Sequence, residues 1–147
     1  PLRNRLGYGI FQQEVLPTIE QAKKVASVND LVKPLHDALE RLDRVTDNLL
    51  CEIDKNIDAG LANATVYLDL FGRTVVAWIW LKQATSAGRA LEKGQDHLAE
   101  SEANFYQGKL QAARYYIEWE LTQTVQQAEL LKTNNQTCFT MRDEWFG

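Results

Sequence analysis

The sequence predicts an all-α protein: an up-and-down antiparallel helical bundle of four main helices with a packed C-terminal tail. Between Leu31 and Ile57, apolar residues recur at steps of three and four, the spacing of one face of an amphipathic helix. Two long apolar runs, at 64–81 and 105–121, have the length and spacing of further helices. Only three prolines and eight glycines occur in 147 residues, so long helices are seldom interrupted.

The first two helices are predicted at about 9–25 and 31–57. Pro17 lies inside the first pattern and either kinks that helix or starts its second half, because proline has no backbone donor. The second helix has the cleanest amphipathic pattern of the chain. On its polar face we expect the ion pairs Asp37–Arg41 and Glu40–Arg44, which have the favoured i,i+4 order.

The third helix is predicted at about 61–91, and the fourth from 100–103 to about 131. The third is apolar on almost all sides between Val66 and Leu81, so we expect it at the centre of the bundle. The connections are short, which favours antiparallel neighbours. The tail at 137–147 is too aromatic for a free end, and we expect Phe139, Trp145 and Phe146 to pack back on the bundle.

Length and hydropathy predict one domain, 1–147, with no membrane span and no nucleic-acid partner. The longest uncharged apolar run, Val75 to Leu81, is far below the roughly 20 residues that cross a bilayer. A net charge of −4 argues against a nucleic-acid surface, which needs a basic excess. No signal peptide is in view, so we expect a cytoplasmic protein. The chain starts at Pro1 without an initiator methionine, and we expect it to be an excerpt of a longer protein.

Side chains that carry chemistry are sparse. Neither His36 nor His97 has a glutamate three residues before it, so the di-iron pattern of helical bundles is missing. Cys51 and Cys138 are too far apart for a zinc pattern, and we expect them to be buried free thiols. The carboxylate pairs at 100/102 and 118/120 point to different helix faces, which is typical of a solvated surface. We therefore expect no catalytic, cofactor-binding or metal-binding residue in this chain.

The aromatic residues of the third and fourth helices have helical spacing and apolar neighbours. Core packing is therefore favoured over a ligand pocket for this set, which comprises Tyr67, Phe71, Trp78, Trp80, Phe105, Tyr115, Tyr116 and Trp119. Trp78 and Trp80 lie about 200° apart around a helix and cannot both face one neighbour. One of the two should meet another domain, another subunit or the tail.

Several motifs, taken in order, resemble a known domain family. They are Leu70-Phe71-Gly72, then Phe105-Tyr106-Gln107-Gly108-Lys109-Leu110-Gln111-Ala112-Ala113-Arg114-Tyr115, then a closing Trp145-Phe146. This order resembles the extra C-terminal domain of long bacterial acyl-CoA dehydrogenases, the members similar to methylmercaptopropionyl-CoA dehydrogenase. The resemblance covers roughly residues 57–146, and the first helices fit by pattern only.

The resemblance implies a parent flavoenzyme that oxidises an acyl-CoA thioester at its α,β bond, with FAD as hydride acceptor and electron-transfer flavoprotein as its oxidant. The catalytic and FAD-binding segments of that family precede this domain, so no catalytic or cofactor residue is assigned here. The chain would then be the non-catalytic C-terminal helical domain that supports the catalytic core or the interface of a homo-oligomer. The candidate contact residues are Trp78, Trp80, Trp145 and Phe146.

Two other classes of function stay open from the sequence. One is a stand-alone helical protein-interaction module whose aromatic groove holds a partner helix. The other is a small-molecule carrier that uses the aromatic interior as a pocket. A start codon just upstream of Pro1 would favour the first, and a fully packed core would exclude the second.

Overall fold

The protein is a bundle of α-helices, as the sequence predicts. The computed structural model describes residues 5–94 and 97–147, and all regular structure within these ranges is helical. The α-helices are α1 (Leu6–Ala22), α2 (Val32–Lys55), α3 (Ile57–Leu61), α4 (Ala64–Lys93), α5 (Glu100–Tyr115) and α6 (Thr124–Lys132). Helix α1 continues through Pro17 without a break. The prediction of an all-α bundle is confirmed.

Contacts between helices show that α1 and α4 run parallel. The Phe11 and Phe71 rings lie 5.3 Å apart, and seven residues further along both helices the Trp78 Nε1 donates to Thr18 Oγ1 at 2.9 Å. Helix α2 runs against α1: Arg5, just before α1, pairs with Asp47, whereas Gln12 in α1 donates to Asp43, nearer the start of α2. The first three long helices therefore alternate in direction.

The last helical stretch runs against α4. Lys109 Nζ donates to Gln83 Oε1 at 3.2 Å, and Arg73 reaches back to Glu120 at 2.8 Å. The up-and-down order of the four long helical segments follows from these contacts, with α3 as a short helix between α2 and α4.

Helix α4 is the centre of the bundle, because α1, α2, α5 and α6 all pack against it. Leu70, Ala77 and Leu81 on its inner side are fully buried. The main core is formed by buried residues of α1, α2, α4 and α5 and of the segments that follow α1 and α5: Val15, Ile19, Ala22, Val25, Val28, Leu31, Val32, Leu35, Ala38, Ala77, Leu81, Ala84, Ala113, Ile117 and Leu121. The third helix contacts the other long helices, as predicted, but they do not surround it, because Leu68 and Ile79 on its opposite side are exposed.

Helix α4 is also the one helix in the described ranges that is long and apolar enough to cross a bilayer, judged by composition alone, with a mean hydropathy of 1.2. Core helices of water-soluble bundles meet the same criterion. Its neighbours cover one side of it, and only 22% of that apolar window is buried. The expectation of no membrane span stays a prediction.

The predicted fourth helix is interrupted. Between α5 and α6 the chain forms a π-helical turn at Tyr116–Glu120 and a 3-10 turn at Leu121–Gln123. The helical path is continuous, but its hydrogen-bond spacing changes twice. Periodicity alone did not reveal this change, because Ile117 and Leu121 still reach the core.

The C-terminal tail does not pack as predicted. Phe139, Trp145 and Phe146 are 46%, 59% and 75% exposed, and the tail ends in a short 3-10 turn at Asp143–Phe146. Among the described residues, the hydrogen bonds between the tail and the bundle lie where the tail begins: Gln136 Nε2 donates to the Ala59 carbonyl at 3.2 Å. Aromatic content predicted burial, but no groove of the bundle receives these rings.

Both cysteines are exposed, which corrects the prediction of buried thiols. Cys51 lies on α2 outside the stripe of leucines and valines that faces the core. Cys138 lies in the exposed tail. A position inside a helical pattern was therefore a poor guide to burial.

The ion pairs on α2 also differ from those predicted. Asp37 pairs with Lys33 at 2.6 Å, four residues towards the N-terminus, and Glu40 lies 3.8 Å from His36. Neither Asp37–Arg41 nor Glu40–Arg44 forms. Both choices of partner have i,i+4 spacing, so the sequence alone could not rank them.

Candidate docking surface

Among the described residues, one group of metal-ligand side chains lies close together: His36, Asp37 and Glu40, with donor atoms within 4.8 Å of one another. The group sits on the outer side of α2. The Asp37 carboxylate already accepts from Lys33 Nζ at 2.6 Å, so a cation bound there would have to displace an ammonium group. The three residues are typical of a solvated helix surface, and the absence of a metal site stays a prediction.

Trp78 and Trp80 contact different helices within the bundle. Trp78 packs against Phe11 at 5.7 Å and donates its indole N–H to the buried Thr18 hydroxyl. Trp80 packs on the main core and lies under Lys109 of α5, 5.5 Å from ring centroid to Nζ. The prediction that they face different neighbours is confirmed. Each is half-buried, and a contact of either with a second subunit or another domain stays a prediction.

Large apolar side chains are exposed on both α4 and α5. On α4, the side turned away from the core carries Leu68, Val76 and Ile79, which are 67%, 38% and 42% exposed. On α5 and the π turn, Phe105, Tyr115 and Trp119 are 60%, 52% and 67% exposed. We call these six residues the α4–α5 face.

Lys109 lies at one edge of this face, between α4 and α5. Its ammonium group lies 5.5 Å from both the Trp80 and the Phe105 ring centroids, within the range of cation–π attraction. Further along α5, Tyr115 and Trp119 stack at 6.0 Å with an interplanar angle of 18°. The stacked pair forms a flat aromatic plate with its outer side in water.

Charged residues border the face at the other end. Arg73 on α4 donates to Asp69 at 3.0 Å and to Glu120 at 2.8 Å. Partial burial disfavours the charged guanidinium, but these two carboxylates outweigh it and raise the pKa of Arg73. The same guanidinium holds the pKa of the Asp69 carboxyl below its usual range. This cluster fixes the π turn against α4.

The π turn sets the position of the aromatic plate. In a π turn the backbone hydrogen bonds span one residue more than in an α-helix, and such turns are frequent at functional sites. Here the turn keeps Ile117 in the core while Trp119, two residues later, points into solvent.

The sequence placed Phe105, Tyr115 and Trp119 in the core, and this prediction is wrong. The buried positions of α5 are held by a small residue, Ala113, and by half-buried Leu110. The signal was present in the sequence: Leu110, Ala113 and Ile117 recur at steps of three and four and mark the core side, which leaves the large rings for the opposite side.

The other two candidate contact residues, Trp145 and Phe146, are exposed in the tail. Arg142 lies 5.6 Å over the Trp145 ring. A contact of these rings with a partner stays a prediction.

Comparison with known proteins identifies the fold family. A family model described as "Acetyl-CoA dehydrogenase C-terminal like" matches residues 11–142, most of the chain and all of the long helices in part or in full. No curated protein and no solved structure matches. The match includes α1 and α2, which the motif resemblance did not reach. The chain therefore belongs to the acetyl-CoA dehydrogenase C-terminal-like domain family.

Proposed function

We propose that this chain is the non-catalytic C-terminal helical domain of an FAD-dependent acyl-CoA dehydrogenase, and that it supports the catalytic core or the oligomer interface through the α4–α5 face. The observation that carries the proposal is the exposed aromatic plate of Tyr115 and Trp119 on a domain of this family. Tryptophan and tyrosine are enriched in the parts of interfaces that contribute most to binding.

The composition of the face suits a partner surface. Its six side chains are all uncharged and large, and Lys109 and Arg73 border it. Full burial of a large apolar side chain is worth about 1.5–3 kcal/mol relative to exposure. Half-exposed residues on both helices therefore offer several kcal/mol to a partner that covers them together. An apolar centre with a polar rim is the usual arrangement of protein–protein interfaces.

The chemistry would belong to the parent enzyme. There a glutamate would remove the α-proton of the acyl-CoA, FAD would accept the β-hydride, and electron-transfer flavoprotein would reoxidise the flavin. We place the parent among the long members similar to methylmercaptopropionyl-CoA dehydrogenase, on the order of the Leu70-Phe71-Gly72 and Trp145-Phe146 motifs, and in the cytoplasm. No residue of this chain is assigned a catalytic role.

The parent is tested by the visible absorption spectrum of the full natural gene product. A flavin band that bleaches on titration with acyl-CoA thioesters would support the proposal. A colourless product without a flavin site would contradict it and favour the stand-alone interaction module.

The docking face is tested with two matched substitutions in the same full-length protein. Ile79→Glu places a charge on the α4–α5 face, and Leu130→Glu places the same charge on α6; the two side chains are 42% and 40% exposed. We expect Ile79→Glu to lower the oligomer mass in light scattering or the melting temperature of the flavin-containing core. Leu130→Glu should change neither. If both variants behave as the wild type, or both fail equally, the face has no special role.

A further inference from the structure

A cleft of about 380 Å³ lies between α2 and α6, on a different side of the bundle from the α4–α5 face. Helix α2 contributes Arg41, Arg44 and Val45, and α6 contributes Val125, Glu129 and Lys132. On each helix the lining residues are three or four positions apart and so share one side. We call this space the α2–α6 cleft. Its volume falls in the range of small-molecule sites, roughly 300–1,000 Å³.

The cleft is basic in an acidic chain. Three cationic side chains face one carboxylate, an excess of two positive charges, whereas the chain as a whole carries −4. The carboxylate, Glu129, lies 3.9 Å from Lys132, at the limit of an ion pair. Arg41 and Arg44 therefore provide the unopposed charge.

Neither arginine has a carboxylate partner within the described part of the chain. The two acids that the sequence assigned to them turn the other way: Asp37 pairs with Lys33, and Glu40 lies near His36. Two guanidinium groups three residues apart on α2 therefore line the cleft without a carboxylate on either.

Arg41 is held in place rather than free in water. One of its terminal nitrogens donates to Thr124 Oγ1 at 3.3 Å, and that buried hydroxyl in turn donates to the Leu121 carbonyl at 2.6 Å. The Arg41 Nε is buried and has no hydrogen-bond acceptor among the described residues. Burial also lowers the pKa of Arg41. A half-buried cation with one neutral partner is electrostatically unsatisfied, and an anion in the cleft would satisfy it.

We propose that the α2–α6 cleft binds a small organic phosphate monoester, with the phosphate on Arg41 and Arg44 and the apolar body against Val45 and Val125. A phosphate monoester carries about −1.5 to −2 charges at pH 7, which matches the excess charge of the cleft. The planar guanidinium presents paired N–H donors that fit phosphate oxygens, and Lys132 adds a point charge at the edge. This binding does not depend on the parent enzyme or on the α4–α5 face.

The test is isothermal titration calorimetry of the 147-residue chain at low ionic strength, with phenyl phosphate as the probe. We expect saturable binding at one site, weaker binding of inorganic phosphate, which lacks the apolar body, and none of benzyl alcohol, which lacks the charge. Arg44→Gln should weaken phenyl phosphate binding at least about tenfold, equivalent to about 1.4 kcal/mol. Arg44 is exposed, so the variant should fold normally.

Arg142→Gln is the matched control, because it removes the same charge from the exposed tail, outside the cleft. It should leave the affinity unchanged. Arg41→Gln, with its fold checked by circular dichroism, should weaken binding as Arg44→Gln does. The proposal is overturned if phenyl phosphate does not bind, if Arg44→Gln and Arg142→Gln have the same effect, or if benzoate binds as tightly as phenyl phosphate.

Discussion

Trp78→Phe should destabilise the bundle, whereas the same change at Trp119 should not. Trp78 donates its indole N–H to Thr18 Oγ1, and Thr18 is buried, with only 6% of its surface exposed. Phenylalanine cannot donate, and a buried polar group that loses its partner costs about 1–3 kcal/mol. The Thr18 hydroxyl keeps its other hydrogen-bonding options along α1, so we take the lower end, about 1 kcal/mol.

The smaller ring adds a packing loss. The Trp78 ring centroid lies 5.7 Å from that of Phe11, and phenylalanine lacks part of the half-buried indole. We count the buried part of this difference as about one methylene group, which is worth about 0.8 kcal/mol. Together the two losses come to about 2 kcal/mol. For a domain of this size, 1 kcal/mol shifts the melting temperature by about 2–4 °C, so we expect a decrease of about 4–8 °C.

Trp119 is the control because it is 67% exposed and its ring contact is with Tyr115 at the surface. Exposed substitutions usually change stability by less than about 0.5 kcal/mol, so Trp119→Phe should melt within about 2 °C of the wild type. The assay is thermal unfolding followed by far-ultraviolet circular dichroism. Equal melting temperatures for the two variants would refute the distinction between a structural Trp78 and a surface Trp119.

Further predictions concern an ion pair, two glycines and the thiols. The Arg114 guanidinium donates to both Asp30 oxygens, at 2.6 and 3.1 Å, and this lowers the pKa of the Asp30 carboxyl. The ion pair therefore stabilises the folded state above the unfolded pKa of aspartate, about 3.9, and this stabilisation is lost as the pH falls through the pKa of Asp30 in the folded state. In a series of melting curves at different pH, Arg114→Gln should melt below the wild type at pH 7 and approach it near pH 2. Gly60→Ala would place a Cβ 2.7 Å from the Ile53 nitrogen, and it should lower the free energy of unfolding in denaturant by about 1–2 kcal/mol. The Cβ of Gly72→Ala would meet no atom within 4 Å, so this variant should raise the free energy of unfolding by about 0.5–1 kcal/mol. A gain at both positions would contradict the close approach of α3 to α2. Both exposed cysteines should react with a thiol reagent in the native protein as fast as in urea, and protection of either would show that it is covered.

The helices were predictable because their burial has a period that the sequence carries. In α2, Leu35, Leu42 and Val45 are buried where the pattern places the core face. The direction of the helices followed from short connections. Both properties depend on residues close together in the sequence, so the spacing of apolar residues and the length of the connections are enough to predict them.

The surface was less predictable because it depends on which of several equivalent partners a side chain takes. Asp37 has a cation four residues away on either side, and only the folded structure shows that Lys33 takes it. This choice leaves Arg41 without an ion-pair partner, and Arg41 is one of the cationic residues of the α2–α6 cleft. The tail was misread for a related reason, because an aromatic residue such as Trp145 is buried only if another element offers a groove for it.

The π turn at Tyr116–Glu120 also constrains how this part of the chain can change in length. An α-helix rotates by about 100° per residue, so removing one residue there would turn α6 about its axis by roughly a quarter of a turn. Ala128 and Leu131 would then leave the core, and Val125 would no longer line the cleft. The length of this turn therefore sets the rotation of α6 about its axis relative to α5. Natural variants of this domain should therefore tolerate substitutions in this turn far better than insertions or deletions.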